Sequence, residues 1–262
     1  MRLSVVVPLF EEADNVAPLV GELLAVLSSR DGCTNDEEPS FGIVLVDDAS
    51  TDRTWEAVED ARSRDERVVA VRHRVRCGQS AAISSGYRHS RGEVVVTMDG
   101  DLQHDPRDTA KLVHALEGSI ACACGFRPRR NDGFVKKASS RLENAFRNAI
   151  TGDHVTDAGC TLRAVRRAAL AELPVFNGLH RFLPTVLRFQ GFECVEVPVN
   201  HRQRVRGVTK YGVGNRLWRG IRDCFAMRWY RRRAVLAARV DPPSATEIRV
   251  PDGSAPVAVG RT

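Results

Sequence analysis

An apolar run and a cluster of acids meet in the segment Val94-Val95-Val96-Thr97-Met98-Asp99-Gly100-Asp101-Leu102-Gln103-His104-Asp105-Pro106. The apolar run predicts a buried β-strand, and Asp99 and Asp101 follow at its carboxyl end. Side chains two positions apart in a strand share a face, and at this edge of an α/β sheet that face opens into the crevice where ligands bind. Two carboxylates there suit a divalent cation held against a diphosphate, because Mg²⁺ takes oxygen ligands. An isolated pair of this kind is more often a turn or a helix cap.

The first half of the chain alternates short apolar runs with helical periodicity. Strands are predicted at residues 4–7, 43–46, 68–72 and 94–98, and helices at residues 15–27, 78–89 and from residue 54 onward. This alternation favours an α/β fold with a Rossmann-like, mostly parallel sheet that is covered by helices on both faces.

Acidic residues also follow the first two strands. Glu11 and Glu12 come after the first strand, and Asp47 and Asp48 come after the second. A carboxylate accepts hydrogen bonds from a base edge or a ribose, and a cation screens it from phosphates. Three acidic strand ends at one edge of the sheet therefore predict a site for a nucleoside diphosphate and its metal. No GxGxxG motif follows the first strand and the sequence has no GxxxxGK[ST] motif, so neither a dinucleotide fold nor a P-loop is favoured.

The composition is that of a folded domain with one strongly basic segment. The 262 residues are 43% hydrophobic, which is enough to bury a core. Residues 202–239 hold eleven arginines and one lysine against the single acid Asp223, a local balance of +11 in a chain of net charge +6. Such a segment can bind an anionic membrane, or nucleic acid with a strongly salt-dependent affinity. The segment contains no recognisable nucleic-acid-binding module.

Cysteine usage and hydropathy bear on location. The seven cysteines lack the paired CxxC spacing of a zinc site, and Cys122 and Cys124 are expected to be buried thiols in a strand. No apolar run reaches the roughly 20 residues that span a bilayer. The start of the chain predicts a strand rather than a signal peptide, from which we expect a cytoplasmic protein.

Four blocks of sequence occur in a set order. They are Pro8-Leu9-Phe10-Glu11-Glu12, Val46-Asp47-Asp48-Ala49-Ser50-Thr51-Asp52-Arg53-Thr54, Gly78-Gln79-Ser80-Ala81-Ala82 and the segment from Met98 to Pro106. This order resembles glycosyltransferase family 2, and within it the polyprenyl-phosphate glycosyltransferases that act on dolichol or undecaprenyl phosphate. The resemblance extends from about residue 3 to about residue 230 and implies a GT-A fold.

The resemblance implies a nucleotide-sugar site at the three acidic strand ends. The implied nucleotide-sugar-binding residues are Pro8, Phe10, Glu12, Val46, Asp48, Asp99, Gly100 and Asp101. A Mg²⁺ or Mn²⁺ ion would be held by Asp99, Asp101 and Gln103. Glu11 stands where the family often has Asn. His104 either lines the metal loop or is a surface histidine.

Three further blocks resemble the acceptor side of the family. Gly125-Phe126-Arg127 matches a Gly-Ser-Arg block and gives Arg127 a phosphate-binding role, and Asp157-Ala158-Gly159-Cys160-Thr161-Leu162-Arg163 matches an Asp-x-x-x-Gly-[Phe/Leu]-Arg block. Arg204-Val205-Arg206-Gly207-Val208-Thr209-Lys210 fits RxxGxSK, with Thr209 for Ser. The implied acceptor-phosphate residues are Lys136, Ser140, Arg204 and Lys210. The implied catalytic residues are Asp101, Asp157, Arg127, Arg204 and Lys210, with Asp157 either a general base or a group that positions the acceptor or its cations.

We expect three parts along the chain. Residues 1–212 form the GT-A catalytic domain, residues 213–238 a basic amphipathic helix at a membrane interface, and residues 239–262 a disordered polar tail. Packing against the core is the competing interpretation for the first half of that helix. Arg163, Arg166 and Arg167 are expected on the exposed basic face of another helix.

The expected function is a metal-dependent, inverting transfer of a sugar from a UDP- or GDP-linked donor to a polyprenyl phosphate. The metal and the cationic side chains would offset repulsion between phosphates and stabilise the leaving diphosphate. We expect peripheral attachment at the inner face of the cell membrane, either to anionic lipid or through a separate membrane partner protein. The alternatives are a soluble family 2 enzyme acting on a hydroxyl, a basic nucleic-acid-binding protein and an inactive scaffold. The nucleotide base and the oligomeric state stay open.

Overall fold

Seven strands form one mixed sheet in the computed structural model, which describes residues 2–29, 41–128, 144–171, 173–203 and 214–233. The strands are β1 (Leu3–Leu9), β2 (Phe41–Asp47), β3 (Val68–Arg72), β4 (Val94–Thr97), β5 (Ile120–Phe126), β6 (Arg163–Arg166) and β7 (Glu193–Pro198). Their order across the sheet is β3-β2-β1-β4-β6-β5-β7. Strands β1 to β4 pair in parallel, β6 runs antiparallel to both β4 and β5, and β7 is parallel to β5.

Helices connect the strands in the order that the hydrophobic periodicity predicted for the first half. They are α1 (Ala13–Leu27), α2 (Thr54–Arg64), α3 (Gln79–His89), α4 (Asp108–His114), α5 (144–151), a 3₁₀ turn (Arg167–Leu170), α6 (Leu179–Phe189) and α7 (Gly214–Arg231). The predicted α/β class and the mostly parallel sheet are confirmed. Residues 30–40, between α1 and β2, lie outside the described residues.

Strand β1 is buried on both faces, as a central strand of a helix-covered sheet must be. Val5 and Val7 pack into the core between the sheet and helices α1, α2 and α4, while Val6 packs on the opposite face with Ala82 of α3. This explains why the strand is a continuous apolar run rather than an alternating one.

The strand register brings the carboxyl ends of β1, β2 and β4 to one edge. Leu9 pairs with Asp47 at the ends of β1 and β2, and Thr97 at the end of β4 pairs with Val6. The chain after β4 then passes close to β1, because a Cβ on Gly100 would lie 2.5 Å from Leu9 Cδ2. A side chain at position 100 would have to displace the end of Leu9, so glycine suits the close approach of residues 98–106, the acidic loop, to β1.

The predicted helix carrying Arg163 and Arg166 is wrong. Arg163 and Arg166 are the first and last residues of strand β6, which lies between β4 and β5. Ala164 and Val165 are fully buried in this strand. Arg163 is itself 2% exposed and donates to the carbonyl of His180 at the start of α6. Arg167 is exposed in the following 3₁₀ turn. A four-residue strand is too short to show a period-two pattern.

Helix α7 has one buried face and one exposed face. Cys224 and Met227 join the core around α6, and Arg181 of α6 forms an ion pair with Asp223 at 2.7 Å. Phe225 and Trp229 are exposed on the other side. The predicted helix over 213–238 is thus a helix over 214–231 in the described part of the chain, and residues 234–262 lie outside that part.

Strand β5 and the described helices bear on the predictions about buried cysteines and membrane spans. Cys122 and Cys124 are buried thiols on β5, as predicted. Across the ranges that the structure describes, every helix is either too short or too polar to cross a membrane.

Candidate nucleotide-sugar site

Backbone strain marks the three loops that follow β1, β2 and β4. Glu11, Ala49 and Leu102 have positive φ angles of 52°, 57° and 61°, and each lies in one of these loops. Non-glycine residues in this region cost free energy and gather at functional sites. The loops also hold one another, because the Glu11 N–H donates to Ser50 Oγ at 2.9 Å and the Glu12 N–H donates to Thr54 Oγ1 at 2.8 Å.

Asp48 is enclosed by the loop between β3 and α3. Its Oδ1 accepts from His73 Nδ1 at 2.7 Å and from the Cys77 N–H at 2.8 Å, and its Oδ2 accepts from the Gly78 N–H at 2.7 Å. His73 Nε2 lies 2.9 Å from Ser85 Oγ on α3. The sequence offered no sign of this role for His73, because the contact joins residues 25 positions apart.

Asp48, His73 and Cys77 could also be considered as metal ligands, since their ligand atoms lie within 4.8 Å of one another. Hydrogen bonds already account for this geometry. His73 Nδ1 must carry its proton toward the carboxylate, which only accepts, so this nitrogen has no lone pair for an ion while the bond persists.

Asp99 is held from two sides. Gln79 Nε2, at the first position of α3, donates to Asp99 Oδ1 at 2.8 Å, and the Thr161 hydroxyl donates to Oδ2. Burial opposes ionisation of Asp99, but the interaction with His104, 3.6 Å away, and the hydrogen bond from Thr161 outweigh it, so the pKa of Asp99 lies below its usual value. Asp99 is therefore ionised and oriented.

His104 is 3% exposed, so the surface interpretation of this residue is wrong. Its Nε2 lies 3.2 Å from Thr161 Oγ1 and 3.6 Å from Asp99 Oδ2. Its Nδ1 is buried without a hydrogen-bond partner among the described residues. His104 is thus buried against Thr161 and Asp99 rather than facing solvent.

Gln103 and Asp101 lie where the acidic loop meets the segment after β7. The Gln103 N–H donates to Asp101 Oδ1 at 3.1 Å, and the Gln103 carbonyl accepts from the Arg202 N–H at 2.8 Å. The Gln103 amide nitrogen lies 3.4 Å from His201 Nε2. Carboxylate and amide oxygens of this loop are the donor types that Mg²⁺ and Mn²⁺ prefer, so the residues fit the predicted ion.

Arg202 fixes the segment that leads to the predicted acceptor residues. It donates to Glu22 of α1 at 2.6 Å and pairs with Asp105 at 3.1 Å. Arg107 also binds Asp105, and its hydrogen bonds, with further attraction from Arg202, lower the pKa of Asp105 to about 2 against the opposing effect of burial. Residues 204–213 follow at once, so Arg204 and Lys210 lie outside the described residues, as do Lys136 and Ser140.

Arg127 and Asp157 form a buried ion pair with two hydrogen bonds. Arg127 Nε and Nη2 donate to the two carboxylate oxygens of Asp157 at 2.7 and 2.9 Å. Burial lowers the pKa of Arg127, but the hydrogen bonds and charge of Asp157 outweigh it, and the attraction of Asp99 adds to the net rise. The guanidinium is therefore permanently charged and lies within electrostatic reach of the acidic loop.

The Phe10 ring contacts the guanidinium of Arg76, which belongs to the loop between β3 and α3. The guanidinium carbon of Arg76 is 3.8 Å from the centre of the Phe10 ring. The structure thus brings Phe10, Asp48, Asp99 and Gly100 to one edge of the sheet.

The fold and this acidic edge define a GT-A type glycosyltransferase scaffold. Solved structures with this fold include glucosyl-3-phosphoglycerate synthase from Mycobacterium tuberculosis with Mn²⁺, uridine diphosphate and glucosyl-3-phosphoglycerate, at a TM-score of 0.61, 19% identity, and coverage of 88% of this chain and 79% of that one. A mannosyltransferase from Pyrobaculum calidifontis with GDP-Man and Mn²⁺ aligns at a TM-score of 0.57, 20% identity, and coverage of 94% and 77%.

The sequence matches are more specific. The family model of glycosyl transferase family 2 matches residues 4–173, and the chain belongs to this family of glycosyltransferases. An undecaprenyl-phosphate 4-deoxy-4-formamido-L-arabinose transferase from Edwardsiella ictaluri is 33% identical over 212 residues, 80% of this chain. A dodecaprenyl-phosphate galacturonate synthase from Rhizobium johnstonii is 33% identical over 239 residues, 88% of this chain. The chain spans 63% and 68% of the lengths of these two relatives.

Proposed function

We propose that this protein transfers a sugar from a nucleotide donor to the phosphate of a polyprenyl lipid, with inversion at the anomeric carbon. The observation that carries the proposal is the gathering of Asp48, Asp99 and the Asp101 loop at one sheet edge, with the charged Arg127 within electrostatic reach of Asp99. The names of the two similar transferases, which both specify a polyprenyl phosphate, support the choice of acceptor.

The donor would bind with its nucleoside near Asp48 and its diphosphate near Asp99 and Gly100. Asp99, Asp101 and Gln103 are the proposed ligands of a Mg²⁺ or Mn²⁺ ion. When bound, such an ion neutralises charge on the leaving diphosphate. Gln79 and Thr161 keep the Asp99 carboxylate in place, so little reorganisation is needed when the donor arrives.

The acceptor phosphate attacks the anomeric carbon, the bond from that carbon to the diphosphate oxygen breaks, and the nucleoside diphosphate leaves. A single displacement of this kind inverts the configuration. A phosphate monoester has a second pKa of about 6, so the attacking oxygen is already ionised near neutral pH and needs no general base. Asp157, which uses both oxygens to hold Arg127, is therefore proposed as a positioning residue, and Arg127 as the cation for a phosphate.

Arg204 and Lys210 remain proposed acceptor-phosphate residues. Arg202, two positions before Arg204, is bound to Glu22 and Asp105, and its backbone donates to Gln103. These contacts hold Arg202 beside the acidic loop; the roles of Arg204 and Lys210 rest on the match to the family motif.

A transfer assay tests the proposal. The protein is incubated with Mn²⁺, a panel of UDP- and GDP-linked sugars, and a short polyprenyl phosphate, and lipid-linked sugar is measured. We expect product from the intact protein, a loss of at least about 100-fold in Asp101→Ala, and no change in Asp60→Ala, an exposed carboxylate on α2. Transfer to a polyprenol hydroxyl or a glycan but not to the phosphate would replace the proposed acceptor.

We further propose that α7 attaches the protein to an anionic bilayer at the cytoplasmic face. Phe225 and Trp229, four positions apart, are 56% and 64% exposed. Exposed arginines flank them at positions 222, 228 and 231–233. Aromatic side chains beside arginines suit the headgroup region of anionic membranes.

Vesicle co-sedimentation tests this attachment. Binding to vesicles containing phosphatidylglycerol should exceed binding to neutral vesicles, and the double change Phe225→Ser and Trp229→Ser should reduce it by about tenfold. Val75→Ser removes another exposed apolar side chain and serves as the control. Equal binding by the double variant would contradict direct attachment through α7 and leave a membrane partner protein as the route.

A further inference from the structure

The hydrogen bonds around Asp48 limit how many further donors its carboxylate can accept. A carboxylate offers about four acceptor positions, two on each oxygen. His73 Nδ1 and the Cys77 N–H occupy Oδ1, and the Gly78 N–H occupies one position on Oδ2. Among the residues that the structure describes, these three donors leave one acceptor position of Asp48 open, on Oδ2.

His73 is fixed in the orientation that blocks Oδ1. Its Nδ1 must donate, because a carboxylate only accepts, and its Nε2 can then accept the hydroxyl hydrogen of Ser85 at 2.9 Å. The imidazole ring is 13% exposed, so neither hydrogen bond is readily replaced by water.

The two common nucleotide bases differ in the donors that they present to a carboxylate. Guanine has two adjacent N–H donors, on N1 and on the exocyclic nitrogen, and pairing both requires a free position on each carboxylate oxygen. Uracil has one N–H donor, on N3, between two carbonyl acceptors. A site with a single remaining acceptor position can pair the one N–H donor of uracil but leaves one of the two guanine donors unpaired.

We propose that His73 makes this site selective for UDP-linked over GDP-linked donors. The inference rests on the proposed placement of the nucleoside at Asp48. Because both ring nitrogens of His73 are engaged by Asp48 and Ser85, it would act through Asp48 as a positioning residue that sets specificity. The loop that carries His73 also places Arg76 over Phe10, so one loop shapes both the polar edge and the stacking surface of the pocket.

Calorimetric titration with UDP and with GDP, each with Mn²⁺, tests the inference without requiring turnover. We expect the intact protein to bind UDP at least about tenfold more tightly than GDP, because a buried unpaired donor is costly. His73→Ala removes the ring and frees the second position on Oδ1, so the ratio of the two dissociation constants should fall to within about threefold. His73→Asn keeps a short donor near Asp48 and should restore most of the preference. His114→Ala, which changes an exposed histidine on α4, should leave the ratio unchanged.

The outcomes separate this inference from the proposed function. Equal binding of UDP and GDP by the intact protein, or an unchanged ratio in His73→Ala, would overturn the role of His73 even if sugar transfer to polyprenyl phosphate is observed. A UDP preference that depends on His73, without any transfer to polyprenyl phosphate, would support the inference and contradict the proposed acceptor. Binding of neither nucleotide would contradict both.

Discussion

Arg127 and Asp157 are in direct contact on the candidate acceptor side. The Arg127 guanidinium donates hydrogen bonds of 2.7 and 2.9 Å to the two carboxylate oxygens of Asp157. A bidentate pair of this kind fixes the plane of the guanidinium. Because both oxygens of Asp157 contact this guanidinium, we propose that Asp157 positions Arg127 rather than acting as a proton acceptor. In this proposal Asp157 orients the Arg127 guanidinium for a phosphate.

Asp157→Asn should lower kcat for sugar transfer by about 10- to 100-fold through a misplaced Arg127. The shape of the profile of kcat/KM against pH between 6 and 9 should not change, because no proton is removed by Asp157. Steady-state assays across this pH range check the prediction. Loss of the rising limb of the profile in the variant would instead identify Asp157 as a general base.

Thr161 should matter through its hydroxyl, which donates to Asp99. Thr161→Val removes the hydroxyl at nearly constant volume, and we expect kcat/KM for the donor to fall by about tenfold. Thr161→Ser keeps the donor and should stay within about twofold of the intact protein. Initial rates at varied donor concentration distinguish the two. Equal losses in both variants would indicate that packing of the methyl group, rather than the hydrogen bond, is what matters.

Asp105 should stabilise the protein in a pH-dependent way. Its folded-state pKa of about 2 lies below the ordinary aspartate value of 3.8, so the stabilisation is present above pH 4 and is lost as the pH falls toward 2. Asp105→Asn should lower the free energy of unfolding at pH 7 by on the order of 1–2 kcal/mol. Urea denaturation at pH 7, 4 and 2.5 should show the difference from the intact protein shrinking at the lowest pH. A difference that stays constant over this range would contradict the assignment.

Glu11 should be a source of strain that asparagine relieves. Its φ of 52° lies in the left-handed region, which asparagine tolerates better than glutamate. Glu11→Asn should raise the free energy of unfolding by about 0.5 kcal/mol, offset in part by loss of the contact with Thr51. Thermal denaturation measures the change. A clear fall in stability would show that the carboxylate contributes more than the backbone strain costs.

The sequence predicted those parts of the fold that have strong local signals. The runs in β1, β2 and β4 are apolar on both faces and end in acids, so their strands and their common edge could be inferred. Strand β6 could not, because it has only four residues and begins and ends with arginine. Its burial depends on β4 and β5, which are distant in sequence.

The candidate site shows the same limit. Residue types at the strand ends indicated a nucleotide and a cation, and the resemblance to a family supplied roles for Arg127 and Asp157. The hydrogen bonds that orient these groups join residues far apart along the chain, such as His73 with Asp48 and Thr161 with Asp99. No local pattern records such pairs, so only the folded structure shows that Asp48 is nearly saturated.

The central claim is that the acidic strand ends bind a nucleotide sugar whose sugar passes to a lipid phosphate. The most direct measurement is formation of polyprenyl-phosphate-linked sugar by the purified protein with Mn²⁺, comparing the intact chain, Asp101→Ala and Asp60→Ala. We predict product with the intact chain and Asp60→Ala, and a loss of at least about 100-fold with Asp101→Ala. Equal turnover by Asp101→Ala, or no transfer to a polyprenyl phosphate from any donor tested, would contradict it.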